Sequence, residues 1–245
     1  HRPTDGSLIR NSGNVLQKIL SFIPSPPDKK PNFESGNVEA SETKSRVERI
    51  EIVCYGIGKV GSSPIAQYQL ALLLLLIDCI SSFLSGKEGK VEKEAIVIRF
   101  YDPVLTKMET DVLTSLGLVL IQTNEQCKRK VERPTIFYMP HCARAMYNNV
   151  VWANWGTSLG NVAILGNSFS TYGDNSNLET KENRVQMESI LKIIPHVEES
   201  RIADNFTVSG IFNDFSLHIF KLPEKDLGQA PPELKSDNVG ELIIS

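Results

Sequence analysis

The stretch Ile50-Glu51-Ile52-Val53-Cys54-Tyr55-Gly56-Ile57-Gly58-Lys59-Val60-Gly61-Ser62-Ser63-Pro64 decides how the rest of the chain is read. Residues 49–55 are dominated by β-branched and other apolar side chains, the mark of a strand covered on both faces. Three glycines follow at the spacing G-x-G-x-x-G. Lacking Cβ atoms, they let the backbone turn tightly and approach a ligand closely. Ser63-Pro64 then reads as a helix start, with serine as cap and proline at the first helical position. Strand, glycine loop and helix in that order suit an anionic ligand, because the helix N-terminus adds free N–H groups and a partial positive charge. Gly56, Gly58, Gly61 and Ser62 are therefore candidate cofactor-binding residues. A tight strand-to-helix turn that binds nothing has the same spelling.

The alternation continues outward. A helix over 64–84, apolar nearly all round at 70–77, is expected to be largely buried. Residues 95–101 predict a second strand, 104–116 a short helix closed by Gly117, and 118–121 a third strand. Residues 135–139 predict a fourth strand, followed by a helix from His141 or Cys142, and residues 161–165 a fifth. Met187, Ile190, Leu191 and Ile194 share a helix face that ends at Pro195. Residues 207–212 and 215–222 read as a C-terminal β-hairpin across Asn213-Asp214. Apolar strands alternating with helices imply an α/β fold: a doubly wound, mostly parallel, Rossmann-like sheet.

In such a sheet ligands bind beyond the carboxyl ends of the strands, so chemistry is expected at those ends. Asp102 ends the second strand, where a carboxylate meets ribose hydroxyls in dinucleotide and S-adenosylmethionine sites. It lies about 40 residues past Gly61 rather than about 20, an excess the polar insert 85–94 would explain. Before Pro103 it could equally cap a helix. His141 follows the fourth strand; at a helix N-terminus it would be biased to the neutral form, and Cys142 towards thiolate. Asn167 and Ser168 complete the rim, with cap or turn roles as the alternative. No partner for a catalytic triad is legible, so no catalytic residue is assigned, and no metal-ligand spacing occurs. The residues do not name the ligand; a dinucleotide and S-adenosylmethionine are the candidates. Trp152 and Trp155 share one helix face, as core or partner surface, and the run Lys128-Arg129-Lys130 with Arg133 reads as a solvated face.

The ends differ from the middle. Residues 1–48 carry five of the 13 prolines and one amphipathic helix through Val15, Leu16, Ile19, Leu20 and Ile23, followed by a linker. The expected units are this N-terminal helix and linker (1–48), an α/β domain (49–222) and a polar tail (223–245). A net charge of −3 gives no electrostatic footprint for direct nucleic-acid binding. The longest unbroken apolar run, 70–77, is short of the ~18 residues of a membrane span, so no membrane association is expected. Four scattered cysteines exclude a disulfide scaffold or zinc ribbon and suit reduced thiols in the cytoplasm, with the nucleus as a second location. No signal peptide is legible from His1 onward.

Eight segments in fixed order carry a family resemblance: Cys54-Tyr55-Gly56-Ile57-Gly58, Gln69-Leu70-Ala71-Leu72-Leu73-Leu74, Tyr101-Asp102-Pro103, Thr135-Ile136-Phe137-Tyr138-Met139-Pro140-His141-Cys142, Tyr147-Asn148-Asn149, Ala153-Asn154-Trp155, Gly166-Asn167-Ser168-Phe169 and Ile211-Phe212-Asn213-Asp214. Together they resemble the SRR-like (Sensitivity to Red Light Reduced-like) family over residues 50–220, with the Asn-Asn…Trp stretch closer to animal members. The resemblance implies a non-catalytic regulatory protein, linked in plants to the circadian clock and red-light signalling and in animals to clock-gene expression and haem biosynthesis. It implies unidentified protein partners and carries no established site residues. Haem as a ligand is not supported by a Cys-Pro dipeptide, which the chain lacks. The alternative is a Rossmann-like NAD(P)- or S-adenosylmethionine-dependent enzyme.

Overall fold

The computed structural model describes residues 7–24, 50–85, 96–204, 210–223 and 227–234. Strands β1 (Ile50–Tyr55), β2 (Ile96–Tyr101), β3 (Val119–Leu120), β4 (Thr135–Met139), β5 (Val162–Asn167), β6 (Val197–Arg201) and β7 (Phe215–Phe220) make one sheet, in the order β3-β2-β1-β4-β5-β7-β6. β1 to β5 pair in parallel, and β7 is antiparallel to both β5 and β6. The fold is therefore α/β with a mixed, mostly parallel seven-stranded sheet ending in an antiparallel hairpin.

The apolar strands feed two cores through the period-two alternation of their side chains. Ile50, Ile52 and Cys54 of β1, Ile136 and Tyr138 of β4, and Ala163 and Leu165 of β5 enter one core. There they meet helices α1 (Ser7–Phe22), α2 (Pro64–Ser85) and α3 (Lys107–Ser115). Val53 and Tyr55, Phe137 and Met139, and Val162 and Ile164 enter the other. It is closed by α4 (Arg144–Ala153), α5 (Phe169–Asn175) and α7 (Glu188–Ile193), with the short α6 (Lys181–Val185) between the last two. Burial on both faces is why these strands lack the apolar–polar alternation of a half-exposed sheet.

Several expectations change. The hairpin partner of β7 is β6, a strand reading Val197-Glu198-Glu199-Ser200-Arg201, whose charged side chains suit an edge. Of the expected strand 207–212, residues 207–209 lie outside the described residues and 210–212 form a turn. α1 is part of the fold: Val15, Ile19 and Ile23 are buried in the first core, and Lys18 pairs with Glu198 at 2.7 Å and donates to Ser200. Most of the expected linker (25–48), the insert 86–94 and the end of the tail (235–245) lie outside the described residues. α2 buries only Ala66, Gln69, Leu73, Leu76 and Ile80, and leaves Leu75 62% exposed, because a helix on an outer layer turns one face to the sheet. By length and composition α2 is also the one helix among the described residues apolar enough to cross a membrane, which the count of unbroken apolar residues did not register.

α3 starts later than expected, at a capping box in which Thr106 Oγ1 accepts from Glu109 N–H and Glu109 reaches back to Thr106 N–H. Its end is as read. Gly117, at φ +91°, donates to Thr114 O while Leu118 donates to Leu113 O, a Schellman motif.

His218 of β7 is fully buried, stacked on Phe169 with ring centroids 4.0 Å apart. Its Nε2 accepts from Phe169 N–H, and Nδ1 lies 3.2 Å from Ile164 O. Burial, only partly offset by the Glu199 carboxylate, pushes its pKa down to about 4. Between pH 6.5 and 4 the unfolded chain therefore binds a proton that the native state refuses. The stability due to neutral His218 is fully present above pH 6.5 and is lost as pH falls towards 4, on the order of 3 kcal/mol. Urea denaturation should show stability falling from pH 7 to 5, with the slope flattened in His218→Gln; an equal slope in the variant would contradict this assignment.

Candidate functional site

The strand order reverses between β1 and β4, so the loops after these strands part and leave a crevice at their carboxyl ends. A cleft of about 680 Å³, counting its open mouth, lies there. It is lined from four stretches: Tyr55, Gly56 and Gly58 at the end of β1 and beyond it; Tyr101 to Val104 at the end of β2 and beyond it; Asn124, Gln126 and Cys127 between β3 and β4; and His141, Cys142 and Ala143 between β4 and α4, with Met146 in the first turn of α4.

The first stretch shows why glycine is required. Gly56 and Gly58 have φ of +67° and +79°, and a Cβ on Gly56 would sit 2.6 Å from Cys142 Sγ. Gly58 N–H donates to Asp102 Oδ2 at 2.7 Å, while Asp102 Oδ1 accepts from Val104 N–H at 3.0 Å. Asp102 is thus no helix cap; it braces the end of β2 against the loop after β1. Gly61 N–H donates to Glu109 Oε1 at 2.8 Å, and this bond together with those from Thr106 holds the Glu109 carboxyl below its ordinary pKa. Ser63 Oγ accepts from Ala66 N–H and starts α2 as read. Two amides of the glycine loop are therefore already bound to carboxylates.

The β4–α4 corner differs from expectation. His141 has φ +53°, so the chain turns there and α4 begins only at Arg144. Neither His141 nor Cys142 occupies a helix N-terminus. His141 Nε2 lies 2.8 Å from Ile211 O, which only accepts, so this nitrogen carries a proton. Cys142 is buried and donates to Tyr55 O. Burial first, and the Asp102 carboxylate second, push its pKa up. It is a neutral thiol rather than a thiolate. Gln126 and Cys127 also adopt left-handed backbone, at φ 51° and 58°. Among the described residues, three of the four non-glycine positions with positive φ therefore line this cleft. Such conformations are unfavourable and persist where the surroundings impose them, commonly at functional sites.

The surroundings do impose them. Tyr147 OH donates to Met139 O and accepts from Cys142 N–H and Asn167 N–H, binding the ends of β4 and β5 to the His141-Cys142 corner. Asn149 Nδ2 donates to Gln126 O; Asn154 donates to Arg129 O and accepts from Val131 N–H. Arg129 pairs with Glu125 and Glu51, Arg99 with Glu51, and Tyr55 OH donates to Glu125 at 2.6 Å. Arg129 of the basic run is thus a strut rather than part of a solvated face, while Lys130 is exposed. Trp152 and Trp155 donate through Nε1 to Pro231 O and Gly228 O, and Lys128 pairs with Glu233. Leu234, 3% exposed, packs on Ala145. Residues 227–234 are therefore docked on the domain rather than forming a free tail.

Of the eight candidates read from sequence, Gly56, Gly58, Asp102 and His141 line the cleft. Asn167 stands behind it, donating to Cys142 O and Tyr172 OH. Ser168 caps α5 by accepting from Thr171 N–H and also accepts from Arg201. Gly61 and Ser62 lie on the exposed outer turn. Tyr55, Tyr101, Asn124, Gln126 and Met146 were not among the candidates. The two tyrosines are the last residues of their strands, one step before the glycine loop and Asp102, and the β3–β4 loop carries no periodic signal. Among the described residues no three His, Cys, Asp or Glu side chains gather as a metal site.

Replacing Tyr147 by Phe keeps the ring packing but strips one carbonyl and two N–H groups of their partner. Urea denaturation of Tyr147→Phe should show a loss of about 2–4 kcal/mol; a loss below about 0.5 kcal/mol would show that the hydroxyl does not organise the corner.

The SRR1 domain family model matches residues 18–219, a span that includes every residue of the cleft. An SRR1-like protein of Mus musculus is 41% identical over 127 residues, 51% of this chain and 47% of the mouse protein. The protein SENSITIVITY TO RED LIGHT REDUCED 1 of Arabidopsis thaliana is 28% identical over 180 residues, 70% of this chain and 59% of its own length. An SRR1-like protein of Drosophila melanogaster is 29% identical over 177 residues, 72% and 56% of the two chains. The matched stretches span about half the length of these relatives. No solved structure matches. By the extent of the family match and by the order of its motifs, the chain belongs to the SRR1 domain family.

Proposed function

We propose that the chain is a regulatory protein whose Rossmann-like, doubly wound domain holds a small nucleoside-type ligand in the cleft and signals its occupancy to protein partners. The carrying observation is the convergence of five positive-φ residues, Gly56, Gly58, Gln126, Cys127 and His141, on one crevice at the β1/β4 switch point. The strand order β3-β2-β1-β4-β5 supports the doubly wound reading, and Asp102 at the end of β2 supports a ribose.

A regulatory rather than catalytic role is favoured by how the reactive groups are engaged. Cys142 directs its proton to Tyr55 O and His141 binds Ile211 O, so thiol and imidazole do not form a nucleophile–base pair. The Arabidopsis relative's name points to light responses, and we extend to this chain the circadian-clock and haem-biosynthesis roles that the resemblance implies. With a net charge of −3, action on gene expression would be indirect, through proteins rather than nucleic acid or membrane. The four free thiols suit the cytoplasm and nucleus. A second reading, a Rossmann-like NAD(P)- or S-adenosylmethionine-dependent enzyme, is favoured by Gly58 and Asp102 meeting on one rim.

Complementation tests the proposal. In cells lacking the endogenous protein, the wild-type chain should restore the rhythm of a clock-gene reporter, and Asp102→Ala, checked to be folded by circular dichroism, should not. Full rescue by the folded Asp102→Ala variant would show that the cleft is not needed for regulation.

A further inference from the structure

Resting on the nucleoside reading of the cleft, we infer that its ligand is phosphate-free: an adenosyl sulfonium or thioether of the S-adenosylmethionine type, not a dinucleotide or a nucleoside triphosphate. A phosphate bound at a glycine loop needs free backbone N–H groups and positive potential. Here Gly58 N–H is bound to Asp102 and Gly61 N–H to Glu109, at 2.7 and 2.8 Å. A phosphate would have to displace one carboxylate while standing beside another, so both the donors and the field oppose it. The lining contains no lysine or arginine, and Asp102 is its one carboxylate. Lys59, the cation of the loop, is exposed and outside the lining, and its charge acts on Glu109.

The same arrangement suits a neutral or cationic nucleoside. Each Asp102 oxygen accepts one protein N–H, which leaves a lone pair on each for the adjacent hydroxyls of a ribose. Asn124 and Gln126 bring uncharged amide groups able to meet a base edge. A sulfonium is attracted to an uncompensated carboxylate and to the ring of the half-buried Tyr101, whose face carries negative quadrupole density. Mostly uncharged walls with one fixed carboxylate select against ligands bearing two or more negative charges.

Isothermal titration calorimetry on the whole chain, with S-adenosylmethionine, S-adenosylhomocysteine, NAD⁺ and ATP as separate probes, decides the matter. The two adenosyl sulfur compounds should bind at least about tenfold more tightly than NAD⁺ or ATP. Asp102→Asn should weaken their binding about tenfold or more. Glu109→Gln, on the outer turn, should leave it within about twofold. Val104→Lys, which adds a cation to the rim and keeps the backbone N–H that bonds Asp102, should strengthen ATP binding about tenfold and keeps the inference testable if Asp102→Asn does not fold. NAD⁺ or ATP binding as tightly as S-adenosylmethionine to the wild-type chain would overturn the inference and leave the nucleoside cleft standing. Binding of none of the four would overturn both.

Discussion

The hydrogen bond from Gly58 N–H to the Asp102 carboxylate is the contact on which the site depends. It joins the loops after two adjacent parallel strands, whose last residues, Tyr55 and Tyr101, stand in register. The loop after β1 can reach Asp102 only because Gly56 and Gly58 adopt left-handed backbone, a conformation that side chains with Cβ atoms rarely take. The bond also sets the sign of the cleft. An N–H that would otherwise face a ligand's phosphate is committed to a carboxylate, and the negative charge stands at the mouth in its place. Glu109 repeats the arrangement at Gly61.

Around that contact the fold supplies restraint. Tyr147 draws three backbone groups onto one oxygen and so holds the β4–α4 corner, where Cys142 lies under Gly56. On the other side, Asn149 and Asn154 hold the β3–β4 loop, and the charged series Glu125, Arg129, Glu51 and Arg99 fastens it to β1 and β2. Residues 227–234 close over this frame through Trp152, Trp155 and Lys128. The asparagines and tryptophans that crowd residues 147–155 are therefore explained by what they hold: the β3–β4 loop, the start of α7 through Asn148, and residues 227–234.

Much of this was legible in the residues, and what was not has physical reasons. β1, β4 and β5 were readable because strands buried on both faces are continuously apolar, and β2 by its β-branched run Ile96-Val97-Ile98. β6 was missed because Glu198, Glu199 and Arg201 give a charged edge strand no apolar signature. Four of the eight residues read from the glycine spacing and the strand ends line the cleft: Gly56, Gly58, Asp102 and His141. Gln126 and Cys127 were out of reach, since left-handed backbone at a non-glycine residue is imposed by tertiary contacts and leaves no mark in composition. The expected Cys142 thiolate failed for a local reason. His141 turns the chain, α4 begins two residues later than Cys142, and the thiol is buried where its charge would be unsolvated.

The central claim, an anionic lip that admits a nucleoside and refuses phosphate, can be observed atom by atom. In amide-resolved NMR, adding S-adenosylhomocysteine should move the resonances of Gly58, Val104, Gln126 and Cys127 together, while equal concentrations of pyrophosphate leave Gly58 and Gly61 unmoved. Movement of Gly58 and Gly61 by pyrophosphate, with none by S-adenosylhomocysteine, would contradict the account.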